Sequence, residues 1–274
     1  MPFNGSGVPQ PPAPPPSFLE TNDFSILCEI EPPRRPDIEH VRAQIDELRD
    51  VASAFLIPDN HLGRATVSSV SVAHEVAYMG GRSIACLNAR DRNLLGFRRD
   101  LLTAASYGVD HFLFVYGDAP KEGRRTEDLT VRGMIDEVRS LSGGPLFQGY
   151  PEFRIGTVTK VSRPLAWRTR ADFIFVQISY SLERMLRWRE SLDFEGHVYA
   201  GVLVLASSRM ARRINASIAD IRIPEQIIDK LDDPEAGIDI ACRQVEEIRS
   251  SGAFNGVHLV PVGKYREVAQ RLRS

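Results

Sequence analysis

The feature that most restricts the fold of this chain is an alternation of apolar strand-like runs with amphipathic helix-like stretches. The alternation repeats eight times between residues 24 and 273. Each run is continuous in apolar and β-branched residues, which indicates a strand buried on both faces, as in a parallel sheet covered by helices. Eight such units in about 250 residues predict an α/β fold with a single (βα)8 TIM barrel. In chain order the runs are FSILCEI, SAFLIP, SIACLN, HFLFVYG, FRIGTVT, FIFVQIS, VYAGVLVLA and GVHLVPV.

An open, doubly wound parallel sheet is the alternative that the same alternation allows. Dinucleotide-binding sheets of that kind carry a Gly-x-Gly-x-x-Gly sequence directly after the first strand. In this chain the first strand is followed by EPPRRPD, which contains no glycine. The barrel is therefore the preferred prediction.

The first 22 residues differ from the rest of the chain because they are rich in proline, glycine and serine. The stretch PPAPPPS favours the polyproline II conformation, which forms no internal hydrogen bonds. We therefore expect a disordered or loosely draped tail over residues 1–22 and a barrel domain over residues 23–274. A passive tail is preferred over a ligand for another protein, which such a stretch also allows.

Composition and charge argue against several kinds of partner. A formal net charge of −2 gives no reason to expect nucleic acid or an anionic membrane. No apolar run approaches the roughly 20 residues that span a bilayer, and the first residues lack the basic and apolar regions of a signal peptide. The 3 cysteines and 6 histidines are scattered, so we expect no disulfide, no metal site and a cytoplasmic location. The oligomeric state stays open.

Polar side chains at the carboxyl ends of the predicted strands are the candidate site residues, because TIM-barrel active sites lie there. Glu29, Asp118 and Gln177 stand out because each interrupts an apolar run before its strand has clearly ended. A buried polar group without a partner costs about 1–3 kcal/mol, so each needs a protein partner or a ligand. An internal hydrogen-bond network is the alternative for any one of them, but three at one mouth favour a ligand.

Two carboxylates follow the first strand within the stretch SILCEIEPPRRPD, and they receive different interpretations. Glu29 has the parity of the inward-facing positions of the strand, so it can point into the barrel. Glu31 has the same parity but directly precedes Pro32, where the strand is ending. A loop contact to Arg34 or Arg35 is the preferred interpretation of Glu31.

Several segments resemble, in order and at consistent spacing over residues 24–265, the methylenetetrahydrofolate reductase family. FSILCEIEPPR is similar to the first strand of that family, and DFIFVQISYSLE is similar to its sixth. The long segment CLNARDRNLLGFRRDLLTAASYGVDHFLFVYGDAP resembles its third and fourth strands, and IRIPEQIIDKLDD and GVHLVPVGK resemble its closing segments. The resemblance implies a reductase that converts 5,10-methylenetetrahydrofolate to 5-methyltetrahydrofolate for methionine synthesis, using NADH or NADPH.

The resemblance also implies roles for the residues that were selected by polarity. Glu29 falls on the catalytic glutamate of the family, which protonates N10 so that the five-membered ring opens to an N5 iminium. Asp118 and Gln177 fall on the residues that hold the folate pterin. Tyr180 is a further candidate for substrate contact, although packing in the core or at the rim is its preferred interpretation. Four polar residues at neighbouring strand ends are the weaker candidates for binding the nucleotide cofactor, namely Asp59, Asn60, Asn88 and Thr157.

The chain departs from the family pattern where that family binds FAD. After the second strand the usual Thr-Tyr-Gly-Ala region is replaced by IPDNHLG, and after the fifth strand the Tyr-Pro-Glu-x-His turn is replaced by VTKVSRP. The fourth strand ends in YGD instead of Arg-Gly-Asp, and the seventh carries GVLVL where the family has Gly-Ile-x-Pro. FAD is therefore doubtful, and we expect the nicotinamide nucleotide to give its hydride directly to the folate.

Two other functions fit the same departures. A non-catalytic folate-binding or partner protein would keep the pterin residues and lose the redox site. A corrinoid-dependent or folate-dependent methyltransferase on the same barrel is weaker, since no cobalamin-binding segment is evident.

Overall fold

Eight parallel strands, taken in chain order, form a closed barrel in this computed structural model. The structure describes residues 15–162, 166–218 and 220–273. The predicted TIM barrel is confirmed. The strands are β1 Ser25–Glu29, β2 Ala54–Ile57, β3 Ser83–Asn88, β4 His111–Val115, β5 Arg154–Thr159, β6 Phe173–Val176, β7 His197–Leu203 and β8 Gly256–Val260.

Helices alternate with the strands, with one exception after β5. There the described helical segment is a 3-10 helix over Ala166–Arg170, and residues 163–165 directly before it lie outside the described part of the chain. Among the described residues, no helix is long and apolar enough to cross a membrane. The α-helices are α1 Glu39–Leu48, α2 Ser69–Tyr78, α3 Leu94–Ser106, α4 Val131–Leu141, α5 Leu182–Glu190, α6 Ser208–Ser217, α7 Glu225–Ile228, α8 Ala236–Ser251 and α9 Tyr265–Arg273.

Short polar side chains fix where several of these helices begin. The side chain of Asn93 accepts a hydrogen bond from the backbone N–H of Gly96 at the start of α3, and that of Thr130 accepts from Gly133 at the start of α4. Ser181 and Ser207 cap α5 and α6 in the same way. Each cap satisfies a backbone donor that the first turn leaves free, so the sequence itself sets the point where loop becomes helix.

The first of two compact units contains the residues up to Thr21, Ile30–Arg49 and Ala54–Ile155. Within it β3 pairs with β2 and with β4 in parallel. The core of this unit is mainly aliphatic but contains several aromatic rings, and those of Phe97 and Phe114 meet edge to face with centroids 5.5 Å apart. This core supports the ends of β2, β3 and β4 from which the polar residues extend.

The second unit contains Asn22–Glu29, Asp50–Ser53 and the chain from Gly156 onward. Its sheet runs β5, β6, β7, β8 and β1, and Leu27 of β1 is the register partner of His258 in β8. Gly156 is required in β5, because a Cβ atom there would lie 2.1 Å from the ring of Phe173. The pairing of β1 with β8 is the feature that positions the Glu29 side chain.

The amino-terminal segment is packed more firmly than the sequence predicted. Ser17 and Phe18 are buried, and Ser17 Oγ lies 2.8 Å from His111 Nε2. The other ring nitrogen of His111 lies 2.6 Å from Asp110. The expectation of a loose tail up to residue 22 is therefore wrong for these two residues, because a serine and an aromatic ring follow the prolines and dock on β4. The rest of the predicted tail, residues 1–14, lies outside the described residues.

This arrangement of serine, histidine and aspartate has the connectivity of a hydrolase triad, but it lies at the start of β4 and the serine is buried. Burial would raise the pKa of Asp110, but the hydrogen bond and charge of His111, together with Arg82, outweigh it and hold that pKa below its usual value. Arg82 also donates to the backbone carbonyl of Pro15. We therefore interpret these residues as the attachment of the amino-terminal segment.

Candidate functional site

Glu29, at the carboxyl end of β1, is held by a histidine from the neighbouring strand. Its Oε2 lies 3.2 Å from Nε2 of His258 in β8, and the two side chains are 21% and 16% exposed. The ring of Phe175 in β6 stacks on the ring of His258 with centroids 5.0 Å apart. A carboxyl group that is fixed by a partner and still reachable from solvent can exchange a proton with a bound molecule.

Gln177 lies directly beyond β6 in the same unit as Glu29. Its backbone N–H donates to the carbonyl of Thr159 at 2.8 Å, which extends the pairing of β6 with β5. Its side-chain Oε1 accepts from the backbone N–H of Ile178 at 3.0 Å. The local contact orients the amide group, and an amide offers both a donor and an acceptor to a heterocyclic ring.

Tyr180 occupies a more apolar position than substrate binding would require. Its ring packs against the buried cluster that includes Leu203, Leu205 and Ile221, and its hydroxyl donates to the carbonyl of Leu203 at 3.4 Å. Burial raises the pKa of Tyr180 above its ordinary value. These contacts favour a packing role, and substrate contact by Tyr180 stays a prediction.

Thr157, in the middle of β5, is fully buried. Its Oγ1 has no hydrogen-bond partner among the described residues. An unsatisfied hydroxyl is unfavourable inside a protein, but complete burial leaves no visible path for a nucleotide to reach it. Cofactor binding by Thr157 stays a prediction.

Asp59 and Asn88 are joined in the first unit, where they form the centre of a buried network. Asp59 Oδ2 accepts from the backbone and side-chain nitrogens of Asn88 at 2.9 and 2.6 Å, and Arg92 donates to the same carboxylate and to Asp100. Burial opposes the charge on Arg92, but the two aspartates outweigh it and raise its pKa. The two residues are thus engaged with protein groups, and they hold the ends of β2 and β3 in place.

Asn60 and Asp91 form a second connection between the same two strand ends. The backbone of Asn60 is left-handed, with φ of 47°, and its Nδ2 donates to Asp91 Oδ2 at 2.9 Å. Burial would raise the pKa of Asp91, but hydrogen bonds from Arg90 and Asn60 hold it below the usual value. Asn60 is therefore bound through its side chain to the ion pair of Arg90 and Asp91.

Asp118 is exposed near the start of the loop that follows β4. Its Oδ2 accepts from the backbone N–H of Leu62 at 2.9 Å, which ties this loop to the loop after β2. Gly117 has φ of +95°, and a Cβ atom there would meet the side chain of Asn88 at 3.1 Å. The glycine thus permits the turn that presents Asp118, and the carboxylate remains accessible to a ligand.

Glu31 does not make the predicted loop contact. No ion pair joins it to Arg34 or Arg35, all three of which lie in the described part of the chain. Instead its backbone N–H donates to Gln44 Oε1 at 2.7 Å, and Gln44 Nε2 donates to its carbonyl at 3.1 Å. The side-chain amide of Gln44 in α1 thus binds the backbone of Glu31 just after β1 has ended. The carboxylate of Glu31 is exposed.

Sequence reasoning did not identify the partner of Glu29 or the arginines beside Asp59. His258 was visible as a polar residue within an apolar strand, but its pairing with a residue 229 positions away depends on closure of the sheet. The sequence ARDRN carried the signal for Arg90 and Arg92, because two arginines directly after a buried strand need acidic partners. Among the described residues, no group of three His, Cys, Asp or Glu side chains is placed to hold a metal ion.

The chain matches a known protein family. The sequence model of the family described as methylenetetrahydrofolate reductase matches residues 17–272. No curated protein matches the chain. Among solved structures, a protein from Clostridium thermocellum that binds two copies of 5-methyl-5,6,7,8-tetrahydrofolic acid has a TM-score of 0.61 at 12% identity, covering 93% of this chain and 95% of that one. The tryptophan synthase A-subunit from Pyrococcus furiosus has a TM-score of 0.54 at 12% identity, covering 92% and 97%.

Proposed function

Because the chain belongs to the methylenetetrahydrofolate reductase family, we propose that it reduces 5,10-methylenetetrahydrofolate to 5-methyltetrahydrofolate with a hydride from NADH or NADPH. The observation that carries this proposal is Glu29, a solvent-accessible carboxyl group at the end of β1, held 3.2 Å from His258. The resemblance described above implies that Glu29 corresponds to the catalytic glutamate of the family, and this correspondence supports the proposal. The reaction requires a group of this kind.

The substrate contains a five-membered ring in which one carbon bridges N5 and N10 of the folate. Glu29 donates a proton to N10, the bond between that carbon and N10 breaks, and an iminium forms at N5. The hydride from C4 of the nicotinamide then adds to the iminium carbon, which becomes the methyl group, and the nucleotide leaves oxidised. His258 acts as a positioning residue because its ring nitrogen fixes the orientation of the carboxyl group.

Two further residues are proposed to recognise the pterin. Asp118 is exposed and uses Oδ2 to accept from Leu62, so Oδ1 is left to accept from pterin N–H groups. A negative charge beside the ring also stabilises the positive charge that develops on the iminium. Gln177, with its amide oriented by Ile178, supplies a donor to the same ring system.

The residues at two positions where the family resemblance led us to expect flavin contacts do not fit FAD. At the end of β4, Tyr116 stands in place of the arginine, and its hydroxyl accepts from Arg125 at 3.2 Å. After β5, Lys160 is paired with Asp220 at 2.5 Å. Neither position offers an unpaired cation to a flavin phosphate, so we assign no step of the reaction to a flavin.

A reducing, cytoplasmic location is also proposed. Cys28, Cys86 and Cys242 form no disulfide. Burial raises the pKa of Cys28 to about 12 and that of Cys242 to about 11. Such thiols are poor nucleophiles at neutral pH, so they fit a structural role in a reducing compartment.

Oxidation of NADH and NADPH by the purified full-length chain tests the proposed function. The purified protein is expected to lack the visible absorption band of a flavin, and no FAD is added. We expect the absorbance of the reduced nucleotide at 340 nm to fall only when 5,10-methylenetetrahydrofolate is present. A protein that binds the folate with no turnover would support the folate-binding alternative instead. Turnover that appears only after FAD is added would contradict direct reduction.

A further inference from the structure

A small cavity in the first unit is bordered by three arginines that the reaction described above does not use. It has a volume of about 210 Å³ and lies between residues 60–65, 90–91 and 120–124. Pockets that enclose a whole drug-sized ligand measure about 300–1,000 Å³. The cavity is therefore large enough for one group of a ligand, while the rest of the ligand would lie outside it.

Arg90, which lines this cavity, carries a hydrogen-bond donor without an acceptor. Its side chain is 2% exposed, and Nε and Nη2 bind the two carboxylate oxygens of Asp91 at 2.6 Å each. The remaining nitrogen, Nη1, is buried and has no hydrogen-bond partner among the described residues. This nitrogen is enclosed by the protein, so Arg90 contributes a buried positive charge to the wall of the cavity, which favours a negatively charged ligand beside it.

The charge of the cavity lining favours an anion. Arg64 and Arg124 are exposed and make no ion pair with any residue that the structure describes. Asp91 is neutralised by Arg90, which leaves Glu122 as the one further carboxylate among the lining residues. The lining therefore carries two guanidinium groups without an ion pair and one further carboxylate, which leaves an excess of positive charge. Guanidinium groups can bind phosphate oxygens through two parallel hydrogen bonds, so two of them at one cavity favour a phosphate ligand.

The walls of the cavity are fixed by close backbone contacts. The backbone N–H of Lys121 donates to the carbonyl of Gly63 at 2.9 Å. Gly63 has φ of +71°, and a Cβ atom there would lie 2.1 Å from the carbonyl oxygen of Ala119. Any other residue would push the two loops apart. Little conformational entropy is therefore lost when an anion binds between them.

We propose that this cavity binds the diphosphate of the nicotinamide nucleotide, with Arg64 and Arg124 as its ligands and Arg90 as a buried positive charge in its wall. This inference rests on the proposed function, since it deepens the assignment of NADH or NADPH as the hydride donor. Asn60, which also lines the cavity, connects it to the strand ends where the nucleotide was expected. A dinucleotide fits a site that takes only part of its ligand, because its two nucleosides would lie outside the cavity.

Calorimetric titration of the full-length chain tests the assignment, using NADH, inorganic pyrophosphate and 5-methyltetrahydrofolate as separate probes. Arg64→Gln and Arg124→Gln are each expected to weaken NADH binding about 10-fold, and the double variant to weaken it further. Folate affinity should stay unchanged, and pyrophosphate should compete with NADH. Arg132→Gln is the matched control, because Arg132 is an exposed arginine of the same unit that faces Asp136 in α4.

Each outcome decides between the assignments. NADH affinity unchanged in the double variant would overturn the proposal. If the wild-type chain binds neither NADH nor NADPH, the proposed function fails. If pyrophosphate then still binds through the two arginines, the cavity is a diphosphate site but its assignment to a dinucleotide is overturned. Both arginines are exposed, so thermal melting should confirm that the variants are folded.

Discussion

Replacement of Glu29 by glutamine is expected to lower turnover about 10²- to 10⁴-fold, which is the usual contribution of a general acid. Glutamine has nearly the same shape as glutamate and can still contact His258. It cannot release a proton to N10, so the ring of the substrate would open only slowly. Folate affinity should change little, because the main proposed pterin contacts come from other residues. Steady-state rates of NADH oxidation and the dissociation constant for 5-methyltetrahydrofolate would measure both effects.

Glu31→Gln is the matched control for this experiment. Glu31 lies two residues further along the chain, and its side chain is exposed while its backbone is bound to Gln44. Its substitution should leave turnover within about twofold, since surface changes of this kind have small effects. Equal rates for wild type and Glu29→Gln would remove Glu29 from the role of acid.

The largest effect on stability is expected from Asp59→Ala. The side chain of Asp59 is 4% exposed, and that of Arg92 is 12% exposed. Removal of the carboxylate leaves Arg92 with Asp100 as its acidic partner and leaves the side-chain amide of Asn88 without its main acceptor. Removing one member of a buried ion pair costs about 3–5 kcal/mol, so the free energy of unfolding should fall by that amount.

Urea denaturation followed by circular dichroism would measure this change. Asp46→Ala is the control, because Asp46 pairs with Arg49 on the exposed face of α1, where the side chains are 58% and 49% exposed. An exposed pair contributes about 0–1 kcal/mol. Similar losses in the free energy of unfolding for the two variants would contradict the stabilising role of the hydrogen-bond network around Asp59.

The barrel could be predicted from the sequence because burial on both faces produces a simple signal. Each strand reads as a continuous apolar run, and the count of eight was sufficient to identify the fold. The docking of Ser17 and Phe18 could not be read in the same way. It depends on His111, which looks like an ordinary polar residue at the start of a strand.

The candidate site was predictable only in part. Glu29, Asp118 and Gln177 could be selected because a polar residue at the end of an apolar run has few structural explanations, and their roles stay predictions. The contact of Glu29 with His258 was not visible, because register between the first and last strands is set by closure of the barrel. The unpaired nitrogen of Arg90 was also hidden, since the sequence shows only that arginine and aspartate are adjacent.

Deuterium transfer from NADH labelled at C4 tests the central claim most directly. Direct reduction places the deuterium of the transferred position in the methyl group of 5-methyltetrahydrofolate, where mass spectrometry in ordinary water should find one deuterium for each molecule of product. A reduced flavin would first carry the label at N5, where it exchanges with solvent. Product that forms without deuterium in its methyl group would therefore contradict direct transfer from the nicotinamide nucleotide.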